Sequence, residues 1–199
     1  MERHHHIFLV DISKSMKPIH ESGRIMRILD GIVFKLRNDP WLVGRVKFSI
    51  FAYSNELVLI ADQIEPVEIS KYQQFSSNFG TIECKSYSNL GNALCLLREL
   101  LKGEACVWLP TLCVISGLPS NKMDISLLNY IDTHFAVGIG IEDDIIVAGE
   151  SIKNWRNGAV VITSDNNAVL KSYRDISDKI LCYENIDATI EKYISWAKE

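Results

Sequence analysis

Apolar residues in this chain form short runs that are separated by polar segments, and several of the intervening segments have helical spacing. A short apolar run closed by polar residues is typical of a strand that is buried on both faces of a sheet. Residues 46–51 alternate instead, which also predicts a strand, and residues 53–55 separate this strand from the one at 56–60 and predict a hairpin loop. The predicted strands cover residues 7–10, 46–51, 56–60, 112–115, 135–139 and 159–162.

Helical spacing is clearest after Ser22, which we predict to cap a helix that ends near Asn38, because Pro40 follows. The pattern at residues 143–155 is the least regular and favours a helix. Residues 65–88 are polar, and we expect them to be mostly irregular. The other predicted helices cover residues 90–101, 124–133, 168–181 and 187–198.

Strands that alternate with helices predict an α/β fold. We expect a doubly wound, mostly parallel central sheet with one antiparallel edge strand and with helices on both faces. The sequence contains no linker and no internal repeat, so residues 1–199 are predicted to form a single domain. In such folds, ligands bind at the carboxyl ends of the strands, and the residues that directly follow each buried strand are therefore the candidates for function.

Composition narrows the classes of function. Hydrophobic residues are 47% of the 199 and charged residues 23%, which excludes a disordered chain. The net charge of −4 argues against nucleic acid as the main partner, and the apolar runs are too short to span a membrane. The five cysteines form no CxxC pair and the chain begins without a signal peptide, which together predict a reducing, cytoplasmic location.

Oxygen-bearing side chains follow two of the buried strands and precede one helix. Asp11, Ser13 and Ser15 come after the first strand, Ser88 comes just before the helix at 90–101, and Ser116 follows the strand at 112–115. Extended geometry repeats every two residues, so the first three side chains are expected on one side of the chain. Carboxylate and hydroxyl oxygens suit Mg²⁺ or Mn²⁺ better than zinc.

These residues also have structural interpretations. Asp and Ser are common in polar loops that cap a following turn, Ser88 is also a candidate N-cap, and Ser116 precedes a glycine in a turn. An enzyme is the less favoured class. A phosphohydrolase with an aspartate nucleophile would need a second Asp at the position of Ser13, and the chain has no GxSxG segment. No catalytic residues are therefore predicted.

The order of these segments resembles that of von Willebrand factor A (VWA) domains. The chain has an Asp-x-Ser-x-Ser segment at Asp11, then a hydroxyl before an "xLGxAL" segment at 88–94, then a buried strand followed by a turn with Gly and Pro. The likeness covers nearly the whole chain. It is nearest to the stand-alone bacterial TerY-like group, on the segments 35–40, 51–53 and 88–94.

The resemblance implies a metal-ion-dependent adhesion site (MIDAS). Asp11, Ser13 and Ser15 match its first segment, Ser88 matches a position that is usually Thr, and Ser116 stands where the family usually has Asp. The site would hold Mg²⁺ or Mn²⁺ with one carboxylate instead of two. The implied function is a non-catalytic protein-interaction module that binds an acidic residue of a partner protein.

Two readings of this function stay open. In the first, the cation bridges the module and its partner. In the second, favoured by Ser116, the chain is a degenerate VWA scaffold that binds its partner without metal. By resemblance to the TerY-like group, the partner would be kinase-like or phosphatase-like, in a bacterial stress-response or conflict system; neither nucleic acid nor a membrane is expected as a partner.

Overall fold

The structure is a computed structural model that describes residues 4–79, 82–85, 87–102, 111–117, 159–174 and 177–199. A 3₁₀ turn at Lys14–Met16 follows the first strand. The strands are β1 (His4–Asp11), β2 (Val46–Tyr53), β3 (Leu57–Ile64), β4 (Thr111–Ile115), β5 (Val160–Thr163) and β6 (Lys179–Cys182). The helices are α1 (Lys17–Glu21), α2 (Arg24–Asn38), α3 (Ile69–Phe79), α4 (Leu90–Lys102), α5 (Asn167–Arg174) and α6 (Ile186–Ala197).

The described strands form one sheet of six, in the order β3-β2-β1-β4-β5-β6. Every neighbouring pair is parallel except β2 and β3, which are antiparallel at one edge. This architecture confirms the predicted fold class. Because β1, β2 and β4 are parallel, their carboxyl ends meet at the same edge of the sheet, where Asp11, Tyr53 and Ile115 lie.

The middle strand β1 is buried on both faces, as its continuous apolar run predicts. Phe8 and Val10 point to one side, into a core that the apolar residues of α2, α3 and α6 share. Ile7 and Leu9 point to the other side, into a core with α4 and α5. All four side chains are completely buried. Two layers of helices therefore enclose the strand that ends in Asp11.

Two predicted element starts are wrong. Strand β1 begins at His4, three residues before its apolar run, because His4 is already paired with Val46 of β2 and its amide donates to the Arg45 carbonyl at 2.7 Å. Ser22 does not cap α2. Its hydroxyl donates instead to the Ile19 carbonyl at the end of α1, and Gly23, at φ 69°, precedes α2. A glycine suits this left-handed turn between two helices.

Two predicted element types are also wrong. The segment expected to be irregular contains helix α3, whose Phe75 and Phe79 are buried against the sheet core. The few apolar residues of this segment are widely spaced among polar ones, so the sequence pattern did not predict a helix. The helix expected over 168–181 ends at Arg174, and the chain then forms the edge strand β6. Pairing with β5 outweighs the helical pattern there. The elements predicted at 124–133, 135–139 and 143–155 lie outside the described residues.

Cys84, Cys113 and Cys182 carry free thiols. Burial raises the pKa of the Cys113 thiol, which makes it a core side chain with little thiolate character. None of the described helices combines the length and the apolar character that crossing a membrane requires.

Helices α2 and α6 cross at Gly31. A Cβ atom on this glycine would lie 2.2 Å from Cδ1 of Ile190, much closer than two carbon atoms can approach. Ile190 is buried in the core that the two helices share. The glycine therefore lets α6 pack directly against the backbone of α2.

We expect Gly31→Val to lower the free energy of unfolding by about 1–3 kcal/mol, because it overpacks this crossing. The cost should shrink clearly in an Ile190→Ala background, where the methyl groups that clash are missing. Urea unfolding of the wild type, both single variants and the double variant measures the coupling. If the two substitutions change the free energy of unfolding additively, the side chains at positions 31 and 190 are not in direct contact.

Candidate metal site

The first three predicted residues come together at the carboxyl end of β1. Asp11 is the last residue of this strand, and the chain then turns into the 3₁₀ turn instead of continuing in the extended form that we predicted. The Ser13 amide donates to Asp11 Oδ1 at 2.8 Å, and the hydroxyls of Ser13 and Ser15 are 3.0 Å apart. Asp11 and Ser13 are buried, whereas Ser15 is exposed. Ser15 therefore faces the solvent above a buried carboxylate.

Ser116 joins this group from the neighbouring strand. Val10 of β1 is paired with Ile115 of β4, so that Asp11 and Ser116 follow side by side. The Ser116 hydroxyl donates to Asp11 Oδ2 at 2.9 Å, and the Ser116 amide donates to the Ile162 carbonyl at 3.1 Å. The second oxygen of the carboxylate thus has a partner too.

Ser88 approaches the group from the loop before α4. It does not cap this helix. Asn89 does so, because its Oδ1 accepts from the Asn92 amide at 3.1 Å. The Asn89 amide donates to the Ser54 carbonyl at 3.0 Å and fixes the loop to the end of β2. Ser88 is buried and its side chain acts on the Asp11 carboxyl group, whose pKa it lowers.

Burial dominates the electrostatics of the site. Desolvation raises the pKa of Asp11 above its ordinary value, and hydrogen bonds from the serines, with Ser13 the strongest and then Ser116 and Ser88, oppose it. A carboxylate held in this way lacks a full counter-charge among its hydrogen-bond partners. It is therefore ready for a cation.

Tyr53 belongs to the site and was missed by the sequence analysis, which placed it in a hairpin loop. It is the last residue of β2 and is paired in register with Asp11. Its hydroxyl is completely buried and makes no hydrogen bond to any described residue, although Ser88 and Ser116 lie close enough to act on its pKa. Desolvation, followed by the Asp11 charge, raises the pKa of Tyr53 well above its usual value. The signal in the sequence was its position, at the end of a strand adjacent to β1.

His20 is a second missed residue. It lies on α1, a short helix that no periodicity predicted, and its Nε2–H donates to the backbone carbonyl of Asp11 at 2.7 Å. Burial lowers the pKa of His20, which favours the neutral ring. His20 therefore holds the backbone at the end of β1 without adding a full charge.

Met16, Thr163 and Tyr173 pack against Gly117, the residue after Ser116. A Cβ on Gly117 would lie 2.6 Å from Sδ of Met16, so this position has no room for a larger residue unless Met16 moves. The Gly117 carbonyl accepts hydrogen bonds from the Tyr173 hydroxyl at 3.1 Å and from Thr163 Oγ1 at 3.4 Å. These contacts from β5 and α5 hold Ser116 in place against Asp11.

The donor set suits a hard divalent cation. It consists of one carboxylate and hydroxyls from three separate segments of the chain, all oxygen ligands of the kind that Mg²⁺ and Mn²⁺ take. The buried hydroxyl of Tyr53, which lacks a partner in the described chain, is a second sign that a polar species belongs between the side chains. Within the described ranges, no group of three or more His, Cys, Asp or Glu residues offers an alternative metal site.

Comparison with known proteins identifies the fold. No family model and no curated protein sequence matches the chain. Among solved structures, proximal thread matrix protein 1 from the mussel byssus aligns over 99% of this chain, with a TM-score of 0.63 and 11% identity. The pilus adhesin SpaC from Lactobacillus rhamnosus GG aligns over 100%, with a TM-score of 0.64 and 9% identity.

A von Willebrand factor type A protein from Catenulispora acidiphila also aligns, over 99% of this chain, with a TM-score of 0.55 and 8% identity. One structure of the mussel protein holds zinc in its MIDAS motif. The chain spans 48%, 30% and 42% of the lengths of the three proteins. These similarities show that the fold of this chain is VWA-like.

We expect Asp11→Asn to stabilise the chelator-treated protein at pH 7, by about 1 kcal/mol for each unit by which burial raises the Asp11 pKa. A carboxyl group whose pKa is higher in the folded state destabilises the fold when it is ionised. This penalty falls away as the pH drops through the folded pKa toward the unfolded value of 3.8. The advantage of the variant should therefore disappear near pH 4.

Urea unfolding between pH 4 and pH 8 measures the effect. The matched control is Asp178→Asn, which changes an exposed aspartate just before β6, at the opposite end of the sheet. A variant at position 11 that is less stable than the wild type at pH 7 would show that the ionised carboxylate is already well compensated.

Proposed function

We propose that this protein is a non-catalytic protein-interaction module, which binds an acidic residue of a partner through a MIDAS-type site at the carboxyl end of its sheet. The observation that carries the proposal is the buried Asp11 carboxylate, which is surrounded by serine side chains from three separate segments of the chain. The VWA-like fold, which the chain shares with an adhesin, supports the same class of function.

Asp11, Ser13, Ser15, Ser88 and Ser116 are the residues that would hold the cation. A bound Mg²⁺ or Mn²⁺ would supply a positive charge that attracts a carboxylate from outside the chain. Ser15 is the exposed member of this set and lies on the side from which a partner would approach. Tyr53 and His20 act behind it, as a buried hydroxyl and as a support for the Asp11 backbone.

Ser116 determines how strongly such a site holds its ion. With a serine in this position, the chain brings one carboxylate to the site, and a hydroxyl is a weaker ligand for a divalent ion. We therefore expect weak affinity for the metal alone. A cation that is neutralised by one carboxylate keeps more of its charge, and this strengthens its attraction to the partner's acidic residue.

The alternative is a VWA scaffold that binds its partner without metal. The hydrogen bonds of Asp11 favour it, because Ser13 and Ser116 already serve both carboxylate oxygens. In this interpretation, Ser116 stands where other VWA domains usually have Asp, and its hydrogen bond to Asp11 takes the place of a bound metal ion. The Tyr53 hydroxyl, which has no hydrogen-bond partner among the described residues, favours the metal instead, and it is the reason that we prefer the first interpretation.

The resemblance to TerY-like proteins completes the proposal. It suggests a kinase-like or phosphatase-like partner in a bacterial stress-response or conflict system. A phosphohydrolase activity is the less favoured alternative, since Ser13 occupies the position at which such an enzyme would carry its second aspartate.

Calorimetric titration of the chelator-treated protein with Mg²⁺ and Mn²⁺ tests the site. We expect weak, saturable binding by the wild type that is absent in Asp11→Ala and unchanged in Asp178→Ala, which alters an exposed aspartate at the far end of the sheet. Binding that persists in Asp11→Ala would place the metal elsewhere.

A second variant, Ser116→Asp, separates the two readings. It restores the second carboxylate, and we expect it to raise the metal affinity by about tenfold or more, because affinity for hard cations follows the number of charged ligands. If the wild type binds no metal up to millimolar concentrations while Ser116→Asp does, the geometry is intact, and the wild type either binds its partner without metal or needs the partner's carboxylate to complete the coordination. If neither binds, the MIDAS interpretation is wrong.

A further inference from the structure

We propose that a cavity at the amino-terminal end of the sheet is a binding site for a small, neutral heteroaromatic molecule. The cavity has a volume of about 210 Å³. His4, Thr111, Val160 and Lys179 line it, and each is the first residue of its strand. It therefore lies at the edge of the sheet opposite to Asp11, and its function is independent of the proposed metal site.

The size of the cavity selects small ligands. An engineered protein cavity of about 150 Å³ binds benzene, so 210 Å³ has room for one ring or two fused rings. The walls match a planar ring that carries polar atoms, since Trp41, Tyr193 and Trp196 line the cavity together with polar side chains. Aromatic side chains of this kind bind planar rings through their faces and edges.

The tryptophans are held in place by cations. The Arg45 guanidinium carbon lies 4.9 Å from the centre of the Trp41 ring. The ammonium groups of Lys179 and Lys192 lie 5.5 and 5.6 Å from the centre of the Trp196 ring. These contacts fix the two rings before any ligand arrives, which reduces the entropy that binding would cost.

The acidic and basic side chains in the lining itself favour a neutral ligand. Lys179 and Glu199 both line it, and they form an ion pair of 3.4 Å with each other. Their charges are therefore balanced within the wall. His6 adds none, because burial, followed by the nearby rings of His4 and His5, lowers the pKa of His6 to about 3.

His6 supplies a specific polar contact. It is 2% exposed and lines the cavity, and its Nδ1 lies 2.8 Å from the Tyr193 hydroxyl. Its other ring nitrogen has no hydrogen-bond partner in the described part of the chain. This nitrogen accepts or donates according to the tautomer of the ring. A heteroaromatic ligand that carries both an N–H and a bare ring nitrogen satisfies either tautomer.

Benzimidazole has these features and is the probe for the test. We expect its titration at pH 8, followed by two-dimensional NMR, to shift the indole N–H signals of Trp41 and Trp196 in a saturable way. The signals are assigned with Trp41→Phe and Trp196→Phe. Benzoate, of similar size but negatively charged, should bind at least tenfold more weakly. Tighter binding of benzoate, or no saturable shift with benzimidazole, would overturn the proposal.

A variant that fills the cavity localises the binding. Ala197 lines the cavity at the end of α6, and Ala197→Leu should weaken benzimidazole binding by about tenfold or more. Phe34→Leu is the matched control, since Phe34 is an exposed aromatic residue on α2 that does not line the cavity. The comparison of the two ligands on the wild type needs no variant, so it remains decisive if Ala197→Leu fails to fold. Equal binding by a folded Ala197→Leu protein would contradict the assigned place.

Discussion

The burial of one carboxyl group determines how this molecule is organised. Asp11 ends the central strand, where both faces of the sheet are covered, and it has no solvent to stabilise its charge. An isolated charge is costly in such a place. The chain compensates with hydrogen-bond donors from the next turn and from the residue that follows β4, together with a serine side chain from the loop before α4. Burial of Asp11 therefore lowers the stability of the folded chain at the position that the proposed function uses.

The fold was largely predictable because its central strands depend on burial. The apolar run at 7–10 and the strand at 112–115 show no alternation, and this is the pattern that a parallel sheet covered on both faces imposes. The predictions of secondary structure were wrong where the local sequence pattern favours one element and the tertiary contacts favour another. Helix α3 carries its apolar residues among many polar ones, and β6 is a strand because β5 lies beside it.

The candidate site was predictable for a similar reason, and only in part. Asp11, Ser13 and Ser116 follow buried strands, so the topology brings them to one edge. To predict that Tyr53 lies at the site, one must know the register between β1 and β2, and no local sequence pattern contains this register. To predict the position of His20, one must first predict helix α1. This helix is five residues long and buries no side chain fully, so it leaves no apolar periodicity in the sequence. Contacts of this kind are set by the packing of the whole chain.

The contact between Gly31 and Ile190 has a consequence for how the last helix can move. Ile190 fits into a notch on α2 that only a residue without a side chain provides. One helical turn away on α2, the equivalent positions carry Arg27 and Lys35, and neither offers such a notch. A shift of α6 by one turn along α2 would bring Ile190 against a long side chain in either direction. The contact therefore holds α6 at a single position along α2.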